Sequence, residues 1–477
     1  MNSKLLPLLL LPLVFTGCTI FRVGPDYKGE TFSAQQGVTN ALNSAAATND
    51  VATALWWEKL NDAVLTDLIR KSLATNRDIL VAEARLRQTR AQLGIARAAF
   101  LPGLDGVASY SRFGQSDNAA VYSFGNIDRS QYAAGFDAVW ELDIFGGKFR
   151  KVESAIAAYQ SYEAARDAVM VSLAAEVATV YLSYRTAQQL LITANTNVGL
   201  QSNTLALVQS QYKSGLASEL PVQQASYNLQ TTLAAVPGIE SDLEAYANAL
   251  AVLTGQFPGE LHALLRETKD IPSAQPVWFE GIPAETIRNR PDVRAAERQV
   301  AAAVAEIGVA KSDLYPKFAL NGSVGLESLK WSNFTGHDSM AYNFGPQASW
   351  AIFRGGSIRN NIKAKTAAQE EILAVYESAV LAAVKEVRNA LTAYQKEQQR
   401  HAALLSAVES ARKAVVLSED LYKNGMVDFS NVLDAQRSLS GLAEGEVMSR
   451  GTVSTRFVQL YKALGGGWQT TTEAVKK

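Results

Sequence analysis

Residues 131–145, QYAAGFDAVWELDIF, alternate between apolar and polar side chains with a period of two. Tyr132 and Phe136 recur on one side of the alternation with smaller apolar residues, whereas Asp137 and Glu141 lie on the other. Side chains of a β-strand point alternately to opposite faces of its sheet. The stretch therefore predicts a strand with one apolar, aromatic-rich face and one polar face.

The same alternation recurs elsewhere and predicts four strands in all, at about 103–113, 130–145, 317–328 and 341–353. Alternation over about ten residues with aromatic residues on the apolar side is typical of outer-membrane β-barrels. A soluble sheet with one buried face would show the same pattern, but the sequence offers that face no obvious cover. The residues predicted to face lipid are Tyr132, Phe136, Trp140, Phe318, Tyr342, Phe344 and Trp350.

Four strands are too few to close a membrane barrel. The smallest spanning barrels have about eight strands, and an open edge in lipid would leave backbone amides unpaired at a cost of several kcal/mol each. The strands are therefore predicted to close across several chains. Three chains would supply twelve strands, which predicts a homotrimer.

The chain is also duplicated. Gly94-Ile95-Ala96-Arg97 matches Gly308-Val309-Ala310-Lys311 (308 − 94 = 214), and Tyr212-Lys213-Ser214-Gly215 matches Tyr422-Lys423-Asn424-Gly425 (422 − 212 = 210). These matches keep their order along the chain, so one unit of roughly 210 residues occurs twice, a period far too long for a solenoid. We expect a first repeat over 60–270 and a second over 271–477.

Each repeat contains one very long helical segment, at 148–214 and at 357–424. Both segments lack proline and are rich in residues that favour helices. At 1.5 Å per residue each would be roughly 100 Å long, so these helices must pack side by side. Ser214-Gly215 and Asn424-Gly425 predict the helix ends, and a shorter helix is predicted to return from each.

The N-terminus predicts export and lipidation. Residues 1–17, MNSKLLPLLLLPLVFTG, carry one Lys before an apolar run that has the length of a signal-peptide core and is too short to span a bilayer. Residues 14–18, VFTGC, resemble a bacterial lipobox. A free cysteine beside an ordinary cleavage site is the alternative, but the only cysteine of the chain, Cys18, occupies the lipobox position. Acyl chains on Cys18 would anchor the mature protein.

Composition and motifs disfavour several functions. The 477 residues include 45 Lys+Arg and 46 Asp+Glu, so the net charge of −1 gives no support to a nucleic-acid binder. Three widely separated His and one Cys offer no metal-ligand spacing. The sequence has no Walker A loop, GxSxG or Rossmann fingerprint. We therefore expect neither enzymatic activity nor a cofactor, apart from covalent lipid at Cys18.

Four further motifs resemble a known family. They are Val23-Gly24-Pro25-Asp26-Tyr27 and the runs WELDIFGG at 140–147, LDAQRSL at 433–439 and YKALGGGW at 461–468. Together with Cys18 they resemble the TolC-like outer-membrane factors, or outer-membrane efflux proteins. The similarity is to the lipoprotein branch with OprM- and NodT-type members, and it covers essentially all of the mature chain.

The resemblance implies a mixed α and β membrane protein. Its trimer would form a 12-stranded outer-membrane β-barrel, four strands per chain, continuous with a long periplasmic α-helical barrel. Residues 18–59 and the C-terminal end of the second repeat would form an equatorial collar. The family provides the exit duct of tripartite efflux systems, with a periplasmic adaptor (membrane fusion) protein and an inner-membrane transporter, which we expect to be of RND type. A structural or adhesive outer-membrane lipoprotein is the alternative, but adhesion needs no closed pore.

The resemblance also predicts a gate at the periplasmic tip, where the family closes its duct with acidic residues. The matching residue is Asp434, three residues before Arg437 in a helix predicted to begin near Ser430. Residues i and i+3 share a helix face, so we expect an Asp434–Arg437 pair or a network shared with neighbouring protomers. Asp428 is a weaker candidate, and the first repeat has Gln224 at the position of Asp434. A solvated ion pair without a gating role is the alternative.

Overall fold

A computed structural model describes residues 21–29, 54–114, 116, 128–274 and 284–468. The signal peptide and Cys18 lie outside these residues, so both remain predictions. The chain divides into two compact units. Unit 1 draws on Met1–Glu30, Leu86–Tyr162 and Ala296–Tyr376, and unit 2 draws on Thr31–Arg85, Glu163–Ala295 and Glu377–Lys477.

The two halves of the chain contain helices of matching length. The first half has α1 (Ala63–Thr75), α2 (Arg77–Ala98), α3 (Gly147–Lys213), α4 (Glu219–Leu253) and the short α5 (His262–Leu265). The second half has α6 (Ala284–Arg288), α7 (Pro291–Ser312), α8 (Ser357–Lys423) and α9 (Phe429–Ala463). Helices α3 and α8 each have 67 residues, and α4 and α9 each have 35. The two long helices begin and end within one residue of the predicted bounds.

Both long helices end in the same C-terminal motif. Gly215 and Gly425 have φ of +74° and +70°, a left-handed conformation that glycine adopts without a steric penalty. The next residue in each case donates its N–H back into the last helical turn: Leu216 to the Gln211 carbonyl (2.8 Å) and Met426 to that of Leu421 (2.9 Å). These bonds define a Schellman stop, as the glycine positions predict.

The four predicted strands form one antiparallel sheet in unit 1, in the order β1 (Gly103–Gly114), β2 (Asp128–Leu142), β3 (Lys317–Ser328) and β4 (Met340–Ser349). Phe136 lies opposite Gly106 and Val324, and Val324 lies opposite Tyr342. Residues directly opposite one another share a face. The even-numbered residues of all four strands therefore lie on one face of the sheet and the odd-numbered residues on the other.

Two predicted strand ends were wrong. β2 ends at Leu142 rather than at 145, and β4 at Ser349 rather than at 353. The chain turns immediately after each strand, where Ile144 N–H donates to the Leu142 carbonyl (3.0 Å) and Ile352 N–H to the Trp350 carbonyl (3.0 Å). The alternation of apolar residues continues through both turns, so it overestimates the strand length.

The core of unit 2 is aromatic. The Trp56 ring stacks on Tyr461 at 6.2 Å between centroids, Tyr461 packs on Phe457 at 4.7 Å, and Phe457 packs on Tyr394 at 6.2 Å. All four side chains are buried. Among the described helices, α3 contains one window long and apolar enough to cross a membrane, and 61% of that window is buried inside the chain.

Candidate functional site

One face of the sheet is apolar and exposed in the single chain. Six of the seven residues predicted to face lipid lie on it: Tyr132, Phe136, Trp140, Phe318, Tyr342 and Phe344. Phe136 is 58% exposed and Phe344 is 78% exposed. An apolar surface of this kind marks a membrane or a partner contact.

The seventh predicted residue, Trp350, lies beyond the end of β4, so its placement on a strand was wrong. Its indole Nε1 donates to the Leu314 carbonyl at 3.0 Å. Trp140 makes the corresponding bond in the first repeat, from Nε1 to the Phe100 carbonyl at 2.8 Å. Trp140 therefore connects the end of β2 to the residues that follow α2. Trp350 connects the end of β4 to the residues that follow α7.

The opposite face of the sheet is predominantly polar, although Val107, Phe113 and Val139 also lie on it. One row across the four strands consists of Asp105, Asp137, Ser323 and Asn343. Diagonal hydrogen bonds join other residues of this face: Asn321 Nδ2 donates to Gln347 Oε1 at 2.5 Å, and Gln131 donates to Glu327. A polar face opposed to an aromatic face is the pattern of a strand between water and lipid.

The sheet has two open edges within the described chain. β1 pairs with β2 alone, and β4 pairs with β3 alone. Backbone N–H and C=O groups on such edges need partners if the sheet enters lipid, because hydrocarbon supplies none. The sheet of one chain is therefore incomplete as a membrane-spanning structure.

A small hydrophobic cluster in unit 2 holds together the ends of the helices α3, α4, α8 and α9. Phe429, Val432 and Leu433 of α9 pack with Val208 of α3 and Ala225 of α4. Beside the cluster, Tyr422 Oη donates to Gln211 Oε1 at 2.8 Å, and burial raises the pKa of the Tyr422 hydroxyl. We call this region, from the two turns to Gln436 and Arg437, the helix tip.

Arg437 contacts α4 rather than Asp434. Its Nη2 donates to the Tyr227 hydroxyl, and its Nε donates to Asn228 Oδ1 at 3.2 Å. The guanidinium also lies 5.2 Å from the centre of the Tyr227 ring, within the range of a cation–π contact. The expected Asp434–Arg437 ion pair within the chain was therefore wrong, because Arg437 extends across to the neighbouring helix.

Asp434 and Asp428 are both exposed. Neither forms an ion pair with the described residues of its own chain. Asp428 is the N-cap residue of α9, but its carboxylate makes no capping hydrogen bond. Between Asp434 and Arg437, buried Gln436 donates from Nε2 to Thr204 Oγ1 (2.8 Å) and to Glu419 Oε1 (3.0 Å). At the helix tip, the buried Gln436 side chain is therefore hydrogen-bonded to its neighbours, whereas the carboxylates of Asp434 and Asp428 are exposed.

Sequence reasoning missed the partners of Arg437. One of these partners, Tyr227, is the repeat equivalent of Arg437, because a shift of 210 residues aligns the two positions (437 − 210 = 227). Equivalent positions of α4 and α9 thus face each other. The sequence alone does not reveal that the two returning helices pack against each other through these positions.

Comparison with known proteins identifies the class. The family model for outer membrane efflux proteins matches residues 68–256 and 282–466. The solvent efflux pump outer membrane protein SrpC of Pseudomonas putida is 32% identical over 476 residues, which cover 98% of this chain and 99% of SrpC. Nodulation protein T of Rhizobium leguminosarum bv. viciae is 29% identical, over 98% of this chain and 94% of its own length.

A solved structure of the outer-membrane channel OprN has the same fold. It superposes with a TM-score of 0.85 at 33% identity, over 95% of this chain and all of the OprN chain. The chain belongs to the outer membrane efflux protein family. It is an outer-membrane protein that acts as an efflux channel, which confirms the family, fold class and function expected from the sequence.

Proposed function

We propose that the protein is a homotrimeric exit duct, in which three copies of the sheet close into a 12-stranded barrel. The observation that carries this proposal is the sheet itself, which has one aromatic face, one polar face and two open edges. Alternating antiparallel strands allow β4 of one chain to pair with β1 of the next. The aromatic face then contacts lipid and the polar face lines a water-filled lumen.

The helix tip is the proposed gate and adaptor contact. Arg437 holds α9 to α4 through Tyr227 and Asn228, while exposed Asp434 and Asp428 remain available to neighbouring protomers or to cations. Leu216 and Met426 project from the two tip turns and are 81% and 70% exposed. These apolar side chains suit docking of a periplasmic adaptor, which would connect the duct to an inner-membrane transporter of RND type.

We propose that the duct itself does not select its cargo and catalyses no reaction. One relative, 32% identical, is named for solvent efflux and another, 30% identical, for pyoverdine export, so related chains are named for different exported compounds. The polar face of the sheet carries small, amide and acidic side chains, which suit passage of varied small molecules through water. Selectivity would then lie in the inner-membrane transporter.

Edge pairing between chains can be tested by disulfide scanning. In a Cys18→Ser background, Ser109→Cys on β1 is combined in turn with Ala341→Cys, Asn343→Cys and Gly345→Cys on the same face of β4. Cross-strand neighbours lie about 4.5–5.5 Å apart, within disulfide range. We expect oxidation to link chains at the position that matches the inter-chain register, giving a non-reducing ladder that ends at three.

The control is Ser109→Cys alone, which should form no ladder. Cross-linking that stops at two chains or continues beyond three would contradict the trimer. Failure of all three pairs to cross-link would contradict pairing between β1 and β4.

A further inference from the structure

The loop between β3 and β4, residues 329–339, is held in shape by its own hydrogen bonds. Gly336 N–H donates to the Asn333 carbonyl (2.9 Å), and the buried Ser339 hydroxyl donates to the same oxygen (2.7 Å). Ser339 N–H donates in turn to the Gly336 carbonyl (3.0 Å). This network gives the loop a defined conformation at the ends of the two strands.

Two aromatic side chains of this loop pack onto the aromatic face of the sheet. The Trp331 and Phe334 rings stack on each other at 5.4 Å between centroids and 11° between planes. The Tyr132 ring of β2 lies 5.4 Å from Trp331 and 6.5 Å from Phe334, and Tyr110 of β1 lies 5.0 Å from Tyr132. Tyr110 and Tyr132 lie opposite each other on the even-numbered, aromatic face. The loop therefore folds over the side of the sheet that the proposed duct turns toward lipid, rather than over the side that lines the lumen.

The aromatic cluster of the loop is exposed within the described part of the chain. Trp331 is 68% exposed, and Tyr110 on the same side of the sheet is 60% exposed. An indole ring has an apolar body and one N–H donor, which suits the boundary between hydrocarbon and water, where tryptophan is enriched in membrane proteins. A patch of exposed aromatic rings marks a contact outside the chain.

A charged pair on the same face marks where the apolar surface ends. Arg112 Nε donates to Asp128 Oδ1 at 2.8 Å, and both side chains are exposed. The register places Arg112 opposite Ser130, in the next row of this face beyond Tyr110 and Tyr132 toward the strand ends. Charged side chains are costly in hydrocarbon and lie at its boundary. The two loop rings therefore contact the last aromatic row before the charges begin.

We propose that the β3–β4 loop is a lipid foot (residues 329–339), which seats Trp331 and Phe334 among the lipid headgroups on the outside of the barrel. The inference rests on the proposed duct, because that proposal assigns the aromatic face to lipid. The helices α3 and α8 follow the opposite ends of the strands, after Leu142 and Ser349, so the foot lies at the outer leaflet of the outer membrane. The bilayer is the partner that the contacts favour, since the foot continues the lipid-facing surface and ends at its first charged row.

Closure of the lumen is the other task that a loop at this end of the sheet could perform. A lid would place its rings against the odd-numbered face, whereas the contacts of Trp331 and Phe334 with Tyr132 lie on the even-numbered face. These contacts therefore favour attachment of the barrel to lipid over closure of its outer mouth.

Photocrosslinking in lipid vesicles tests the lipid foot at three matched positions. The photoreactive residue p-benzoylphenylalanine, which bonds covalently to a neighbouring C–H group under ultraviolet light, replaces Trp331, Phe136 or Phe113 in the full-length protein. Phe136 lies on the aromatic face within β2, and Phe113 lies on the opposite face near the outer end of β1. Each protein is reconstituted in vesicles of palmitoyl-oleoyl phosphatidylcholine and irradiated, and its intact mass reveals an added lipid.

We expect phosphatidylcholine adducts with the probe at Trp331 and at Phe136, and loss of adducts with the probe at Phe113. Adducts at Phe136 without adducts at Trp331 would overturn the lipid foot and leave the duct intact, whereas their absence at Phe136 would contradict the duct itself. A crosslink from position 331 to protein in place of lipid would also overturn the foot, as would equal adduct yields at Trp331 and Phe113. Should the probe at Trp331 prevent assembly, Phe334 takes the probe instead, with the same expected adducts.

Discussion

Asn76 and Arg290 occupy equivalent places in the two repeats and end the returning helices in the same way. Asn76 Nδ2 donates to the Leu253 carbonyl at 3.0 Å, and Arg290 Nη1 donates to the Ala463 carbonyl at 2.6 Å. These carbonyls belong to the last residues of α4 and α9. Arg290 additionally pairs with Asp292 (2.7 Å) and with Glu386 of α8 (2.8 Å). The second repeat thus has a charged junction where the first has a neutral one.

Arg290→Ala should destabilise the protein more than Asn76→Ala. Arg290→Ala removes four hydrogen bonds of a buried guanidinium, and a hydrogen bond to a charged group contributes about 1.5–3 kcal/mol. Asn76→Ala removes neutral hydrogen bonds, which contribute about 0.5–1.5 kcal/mol each. Chemical denaturation in detergent, followed by the signal of the buried Trp56 and Trp57, measures both. Equal losses for the two variants would contradict the inequivalence of the junctions.

The charged junction should also make stability depend on pH. Burial tends to raise the pKa of Asp292, but the hydrogen bond and the charge of Arg290 outweigh burial and hold that pKa below its usual value. A lowered folded-state pKa stabilises the protein above the unfolded value of about 3.9 and loses this effect as the pH falls through the folded value. Wild type should therefore lose more stability than Asp292→Asn between pH 5 and the acid limit of about pH 2. A difference between the two proteins that stays constant across this range would refute the linkage.

The two faces of the sheet should respond differently to charge. Phe136→Arg and Phe344→Arg place a cation on the aromatic face, where a lipid-facing Arg costs roughly 2–4 kcal/mol near the bilayer midplane. Asn321→Arg and Asn343→Arg place the same side chain on the polar face and should be milder. The yield of folded trimer in outer-membrane fractions distinguishes them. Equal damage on both faces would refute the assignment of lipid and lumen.

Cys18 should carry the lipid anchor, as the basic start, apolar run and lipobox-like residues predict. Metabolic labelling with a fatty acid should mark the wild type and not Cys18→Ser. Membrane association of the variant should weaken without disappearing, since the sheet also holds the protein in the bilayer. Label that persists in Cys18→Ser would exclude this site.

The sequence predicts most of the fold because its strongest signals are local. The period of two along 131–142 places the apolar residues of β2, and Gly215 and Gly425 place the ends of the long helices. The strand ends were less predictable, because Ile144 and Ile352 continue the alternation while hydrogen bonds within the following turns end the ladder.

The gate candidates illustrate what sequence spacing leaves out. The i to i+3 relation between Asp434 and Arg437 is real, yet Arg437 binds Tyr227 and Asn228, about 210 residues earlier in the duplicated chain. A long side chain such as that of Arg437 can contact residues of a neighbouring helix as well as residues of its own helix. Only the packing of α9 against α4 determines which contact forms.

Single-channel conductance in planar bilayers tests the central claim, a gated efflux channel, most directly. Arg437→Ala removes the contacts that hold α9 to α4, and each lost charge-assisted hydrogen bond would shift the closed–open balance by roughly 1–3 kcal/mol per protomer. The purified wild type should form discrete channels with low resting conductance that millimolar divalent cations reduce. Arg437→Ala should raise that conductance, and Asp434→Ala should raise it and weaken the cation effect.

Arg437→Lys, which keeps the charge but not the planar donor set, should have a resting conductance between those of wild type and Arg437→Ala. Identical conductance and cation response in all four proteins would place the constriction elsewhere, and the absence of channels from correctly assembled wild type would contradict the account as a whole.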